Sequence, residues 1–348
     1  MKFAVIGTGI IGRLRAQTVS ERDGTELVAV ADPNQDAAKD CANRFGGEFF
    51  DDYRKLFDAT NPDAVIISSP VQLHEEMAIA AIASGCHVLC EKPMSNSHPS
   101  CMRILDAAKK AGKTVAVGFN HRYYPSISYL KQVIDDGLIG KIDHLRIFSG
   151  HDGLANLRED WMYKGELSGG GAMMDCGIHM TDLARFVGGE LKEVYGISRS
   201  DIWKIPGSED NAMAIFKTVD NVPISYHATW TEWKGYHFSV EAYGELGMVK
   251  GYYAPMYNLF VSRDPKTGKR TKKRKFYPEL ILKEKIKGWQ STSYDTFVKE
   301  LDDFLSMIDG NQVDLASGWC GARSIEVAQA VYESERSGQV VQLQTPPA

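Results

Sequence analysis

The sequence predicts an α/β domain with a doubly wound parallel sheet, followed by an α+β domain on an open, mostly antiparallel sheet. Three observations predict it. Up to about residue 120, short runs that are apolar throughout alternate with helical patterns, as parallel strands covered on both faces require. From about Lys141 the pattern changes to longer β-rich runs joined by turn-prone residues. The length, 348 residues, suits roughly two domains. The expected division is 1–122 and 123–348, with the C-terminal segment packing back on the first domain.

The elements follow in order. Candidate strands of the first domain are Phe3–Gly7, Leu27–Ala31, Ala64–Ser68, His87–Cys90 and Thr114–Gly118. A helix rich in Ala, Ile and Met is expected from Glu75 to Ser84, stopped at Gly85. The next starts near Pro99 and ends at Gly112. Repeated strand–helix–strand units of this length imply a doubly wound parallel sheet. In the second domain the expected strands are Ile142–Phe148, Glu193–Arg199, Ala212–Val219, Val222–Thr231, Phe238–Tyr243 and Met248–Tyr253. Asp220-Asn221 and the segment Gly244 to Gly247 supply hairpin turns. Helices are expected over Asp175–Phe186, Ser293–Ile308 and Ala322–Ser337. The basic run from Lys266 to Lys275, with Gly268 inside it, reads as a solvated hairpin tip rather than a nucleic-acid patch.

Composition excludes several classes. Lys plus Arg is 40 against 45 Asp plus Glu, a formal charge of −5, which argues against a nucleic-acid or cationic membrane-surface binder. Cys41, Cys86, Cys90, Cys101, Cys176 and Cys320 form no CxxC pair and fit a reducing compartment. No apolar run is long enough to span a bilayer, and Met1 leads straight into a strand without a signal-peptide pattern. A cytoplasmic protein is expected.

The first strand runs into Gly7-Thr8-Gly9-Ile10-Ile11-Gly12, a GxGxxG turn, and an amphipathic helix follows. Gly7 permits the tight turn, Gly9 lets the backbone approach a pyrophosphate, and Gly12 lets the helix pack on the strand. The helix N-terminus presents N–H groups and partial positive charge to phosphates. Asp32 closes the second strand, where a carboxylate accepts from ribose hydroxyls and repels a 2′-phosphate. The residues that follow it, Pro33-Asn34-Gln35, include no arginine. The expected domain is a Rossmann fold and the expected cofactor NAD, with NADP disfavoured.

Two further motifs carry a specific resemblance: Glu91-Lys92-Pro93 at a parallel strand end, and the GGG…DxGxHxxD pattern from Gly169 to Asp182. With the glycine turn, they make the chain resemble the Gfo/Idh/MocA oxidoreductases over nearly its whole length. Ser69-Pro70, His74 and Asn120-His121-Arg122 also match family positions. The resemblance implies cofactor contacts from Ser69, Pro70, His74, Glu91, Lys92 and Asn120. It implies that Lys92, Asp175 and His179 line a substrate site beside the nicotinamide, and that dimers or tetramers pack through the second sheet.

Chemistry points the same way. Oxidising a secondary alcohol needs a base for the hydroxyl proton and positive charge beside the developing alkoxide. Asp175 and His179, at i and i+4 on a helix, share a face. Lys92 comes from the strand ends, where open α/β sheets bind ligands. The expected roles are acid/base for His179, polarisation of the reacting oxygen for Lys92 and orientation for Asp175, with Lys92 and His179 exchangeable. Asp175 could instead cap its helix. No second His or Cys stands at ligand spacing, so no metal is expected.

The resemblance adds Arg122, Tyr123, Arg158, Trp161 and His151 as substrate contacts. Trp230, Trp233, Tyr236 and Phe238 are expected to supply aromatic area for an oligomer interface. The leading activity is an NAD-dependent dehydrogenase of a sugar, sugar acid or cyclitol. The alternatives are a glycoside-cleaving enzyme with transient oxidation at C3, and a non-catalytic NAD-binding regulator.

Overall fold

Apolar β-branched runs bounded by glycines become the strands of the first sheet. In the computed structural model, which describes residues 1–153 and 160–344, the chain divides into two compact units, Met1–Asn120 with Lys287–Arg323 and His121–Ile286 with the C-terminal residues from Ser324.

The first unit begins with β1 (Lys2–Ile6), α1 (Ile10–Glu21), β2 (Glu26–Ala31), α2 (Gln35–Phe45), β3 (Glu48–Phe50) and α3 (Tyr53–Thr60). It continues with β4 (Ala64–Ile67), α4 (His74–Ala83), β5 (His87–Glu91), α5 (His98–Ala111) and β6 (Val115–Gly118). The strand order is β6-β5-β4-β1-β2-β3, all parallel. Every residue of β4 and β6 is buried, so both faces are covered, as the uninterrupted apolar runs require. Pro99 sits in the first turn of α5, and Gly112, at φ +63°, closes it in the left-handed region that favours glycine.

The second unit carries α6 (Pro125–Asp135), β7 (Ile142–Gly150), α7 (Gly165–Ser168), α8 (Ala172–Asp175) and α9 (Gly177–Gly188). Seven strands follow: β8 (Leu191–Arg199), β9 (Asn211–Thr218), β10 (Pro223–Thr229), β11 (His237–Gly244), β12 (Gly247–Tyr253), β13 (Tyr257–Arg263) and β14 (Arg270–Phe276). After α10 (Pro278–Lys287), α11 (Gln290–Ile308) and β15 (Ala316–Ser317) belong to the first unit, where β15 pairs antiparallel with β6. Then come α12 (Gly318–Ser337) and β16 (Val341–Gln342). The second sheet has the order β14-β13-β12-β11-β7-β10-β9-β8-β16, antiparallel except for β7 with β10. Its strands alternate buried and exposed residues, the pattern of a sheet covered on one face.

The predicted fold class is therefore the observed one, with local differences. The helix expected from Asp175 starts at Gly177, because Ala172–Asp175 forms a separate short turn. The basic run is a hairpin, but most of it forms β14 rather than the tip, where Asp264 Oδ1 accepts from the amides of Lys266 and Thr267. A cationic edge strand resists pairing with another chain. Two aromatics expected at an interface are core residues: Trp230 and Phe238 are fully buried, whereas Trp233 is exposed. Among the described residues no helix is long and apolar enough to cross a membrane.

Candidate functional site

The turn after β1 shows which glycines the protein itself requires. Gly7 has φ +90°, and a Cβ there would lie 2.6 Å from the Ser68 carbonyl oxygen. A Cβ on Gly12 would lie 1.8 Å from the Gly7 oxygen. Gly9 differs: its φ of −64° suits any residue, and a Cβ would meet nothing within 4 Å. Neither backbone nor packing accounts for glycine at that position, so the account lies in what approaches it. Among the described residues no side chain caps α1, and no acid occupies its first turn, so its N–H groups face an anion site without a side-chain competitor there.

Asp32 follows β2. Its Oδ2 accepts from the Thr8 amide at 2.8 Å and the Thr8 hydroxyl at 3.0 Å, and its Oδ1 accepts from the Asn34 amide at 2.9 Å. A carboxylate offers about four acceptor directions. The protein uses three of them, two on Oδ2 and one on Oδ1.

Other expected cofactor residues are tied into the first unit. His74 is buried, with Nδ1 2.9 Å from the Pro93 oxygen and Nε2 2.8 Å from the Ser69 oxygen. Burial pushes its imidazole pKa down, and a neutral ring donates to only one of the two. The ring thus sits between the turn after β4 and the one after β5, bonded to one of them. Ser69 itself donates from Oγ to Met77 Sδ at 3.1 Å, and Pro70 precedes the short helical turn Val71–Leu73. Glu91 accepts from the Arg15 Nε at 2.7 Å, an interior partner that motif reading missed. Asn120 donates from Nδ2 to the Thr296 hydroxyl at 3.1 Å, and Lys92 forms a cis peptide with Pro93.

In the second unit, the glycine-rich motif is packed against side chains. A Cβ on Gly170 would lie 2.1 Å from the Tyr332 hydroxyl oxygen, and one on Gly177 would lie 2.3 Å from that of Tyr226. The buried Glu209 caps the motif, accepting from the Gly171 amide at 2.8 Å and the Met173 amide at 2.7 Å. Burial raises its carboxyl pKa while these bonds oppose the shift.

Asp175, at the end of α8, accepts on Oδ2 from His151 Nε2 at 2.8 Å and Trp230 Nε1 at 3.1 Å. The Gly153 amide donates to His151 Nδ1 at 3.1 Å, so the neutral ring carries its proton on Nε2 and donates to Asp175. His179 stacks on His121 with ring centroids 3.7 Å apart, and His121 Nε2 meets the Tyr236 hydroxyl at 2.7 Å. Both histidines are buried, with Phe238 and Tyr124 packed around His121.

The expected substrate contacts divide. Arg122 is buried in a fork on Asp182, with Nε to Oδ2 at 2.7 Å and Nη2 to Oδ1 at 2.6 Å, and its guanidinium covers the Phe186 ring. Removing one partner of such a pair costs about 3–5 kcal/mol. That geometry gives Arg122 a role in anchoring α9. Tyr123 is buried, Trp161 is half-buried, and Arg158 lies outside the described residues.

The comparisons extend over the whole chain. Residues 1–119 match the model of the oxidoreductase family with an NAD-binding Rossmann fold, and residues 127–250 match the GFO/IDH/MocA C-terminal domain. The chain is 27% identical to inositol 2-dehydrogenase 2 of Saccharopolyspora erythraea, covering all of this chain and 96% of that protein. It is 30% identical to myo-inositol 2-dehydrogenase of Thermotoga maritima, over 72% of this chain and 74% of that one. In fold it is similar to levoglucosan dehydrogenase in complex with NADH, with a TM-score of 0.87 at 22% identity, over 99% of this chain and 100% of that one.

Proposed function

Since the chain belongs to the Gfo/Idh/MocA oxidoreductase family, we propose that it is an NAD-dependent dehydrogenase acting on a secondary alcohol of a cyclitol or sugar. One observation carries the nucleotide half of this reading: Gly9, which neither backbone conformation nor packing requires, opens the turn where a dinucleotide backbone would pass. The inositol dehydrogenases among its relatives support the alcohol half.

Bound NAD supplies the acceptor for hydride. His179 serves as acid/base, taking the hydroxyl proton as the carbonyl forms. Lys92 polarises the reacting oxygen with its ammonium. Asp175 orients the imidazole and the substrate hydroxyl, its carboxylate held by the two N–H donors of His151 and Trp230. Asp32 selects NAD, because a 2′-phosphate would meet its carboxylate.

The test is reduction of NAD⁺ and NADP⁺ in parallel against inositols, aldoses, uronic acids and glycosides. NADH formed in proportion to one consumed polyol is the expected result. A glycoside consumed without net NADH would favour the bond-cleaving alternative. Tight NAD binding without turnover in any pool would favour the regulator, and preference for NADP⁺ would refute the reading of Asp32.

We also propose a homodimer or homotetramer formed through the outer face of the second sheet. Ile197 pairs across strands with Met213, and Tyr195 with Ile215. All four are exposed apolar side chains on neighbouring strands, a patch that water disfavours. Sedimentation velocity should show an oligomer that the Met213→Lys, Ile215→Lys double variant converts to monomer. A wild-type monomer at micromolar concentration would end the proposal.

A further inference from the structure

Lys92 follows Glu91, and Glu91 is one end of a buried charge cluster drawn from three distant parts of the first unit. The Arg15 guanidinium, on α1, lies 2.6 Å from Glu91 Oε1 and 2.7 Å from Glu300 Oε2 on α11. Arg15 and Glu300 are fully buried, and Phe297, three residues before Glu300, places its ring 3.7 Å from the Arg15 guanidinium carbon. The strand beside Glu91 closes the cluster: a Cβ on Gly118 would lie 2.7 Å from Arg15 Nη2 and 3.1 Å from the Glu91 carboxylate. One helical turn before Glu300, Thr296 accepts from Asn120 at the end of β6. A single face of α11 therefore supports the ends of both β5 and β6.

We propose that Glu300, acting through Arg15 and Glu91, is a positioning residue for Lys92; the functional consequence rests on the role given to Lys92 above. A buried arginine is fixed by the charged groups that it bonds. Two carboxylates meet this one, both at Nη2. With only Glu91, the guanidinium has one charged acceptor and can rotate about it. With Glu91 on Nε and Nη2, Glu300 also on Nη2 and Phe297 against its face, its plane is set, and so is the Glu91 carboxylate that it holds. From the other side, His74 Nδ1 lies 2.9 Å from the Pro93 oxygen. Lys92 thus stands between two neighbours that meet partners in the first unit, Glu91 with Arg15 and Pro93 with the His74 ring.

The test uses Glu300→Gln in the full chain, which keeps the shape and one acceptor oxygen, with Arg15→Lys as the second variant should the first not fold. Turnover is expected to fall about tenfold, while NADH affinity stays within about twofold of wild type, since the glycine turn is untouched. Competitive acylation with acetic anhydride at fixed pH, read at Lys92 by mass spectrometry, should rise at least about threefold relative to Lys113, because a segment no longer held in place exposes its amine to the reagent more often. Unchanged turnover and unchanged Lys92 acylation would overturn the proposal. A parallel collapse of melting temperature, NADH affinity and turnover would overturn it too, reducing Glu300 to a fold-holding residue. Lys92→Met is measured alongside: wild-type turnover in that variant would refute the role of Lys92, while acylation in Glu300→Gln would still decide the positioning.

Discussion

Replacing His179 by asparagine is expected to lower turnover by about 10²- to 10⁴-fold, the usual contribution of a positioned acid/base group, with NADH affinity retained. Asparagine fills much of the same space and keeps a hydrogen-bonding side chain, but it cannot take up and return a proton. The ring it replaces is fixed in plane by His121 at 3.7 Å, and His121 is fixed in turn by the Tyr236 hydroxyl. Those partners remain in the variant, so the loss should fall on chemistry rather than on the fold. The measurement is steady-state turnover on the best polyol, with NADH affinity by fluorescence titration and a melting temperature for each variant. Wild-type turnover would show that His179 is not the proton acceptor. A His121→Asn variant measured in parallel tells whether the neighbouring ring takes that role instead.

The fold class and the nucleotide turn were legible because both are local patterns. Unbroken apolar runs between helical segments specify a covered parallel sheet, and a glycine turn between strand and helix specifies its own neighbours. The partners of the charged motif residues were not legible. Glu91 takes Arg15, and through it Glu300, from elements 76 residues before it and far downstream in the chain. Asp175 takes its donors from His151 and Trp230, 24 residues before it and 55 after. No periodicity links such positions, since their meeting is decided by sheet order and by the return of α11 to the first unit. Trp230 shows the same limit from the other side. Its sequence reading assigns it to an oligomer interface, but its indole N–H donates to the half-buried Asp175 carboxylate, and a tryptophan is buried readily when that donor finds a partner. Glu209 carried no signal at all: one acid of the Glu209-Asp210 pair before a strand does not announce that it caps a glycine-rich turn 36 to 38 residues earlier.

The two glycines that flank the start of α1 should respond to alanine in opposite ways, because the missing Cβ serves a different neighbour in each. In Gly12→Ala the new methyl would sit 1.8 Å from the Gly7 oxygen and 2.8 Å from its carbonyl carbon. Both are backbone atoms of a turn already held by the Gly7 amide on the Ala31 oxygen at 2.8 Å, so neither can swing away as a side chain would. Helix α1 must move off the sheet. Overpacking of this kind costs about 1–3 kcal/mol and more where backbone must yield, so the free protein should melt several degrees lower. NADH affinity should fall with it, because the helix N-terminus is displaced. In Gly9→Ala the methyl meets nothing within 4 Å and the backbone conformation is one that alanine adopts freely. The melting temperature of the free protein should stay within about a degree of wild type. NADH affinity should nevertheless fall at least about tenfold, since the methyl occupies the space through which the pyrophosphate approaches the backbone. Calorimetry without ligand and fluorescence titration with NADH separate the two effects. A Gly9→Ala protein that binds NADH as wild type does would move the dinucleotide away from this turn. A Gly12→Ala protein that melts unchanged would mean the close approach of α1 to β1 is not fixed as described. The pair thus distinguishes a glycine kept for the fold from one kept for the ligand, using two substitutions of one methyl each.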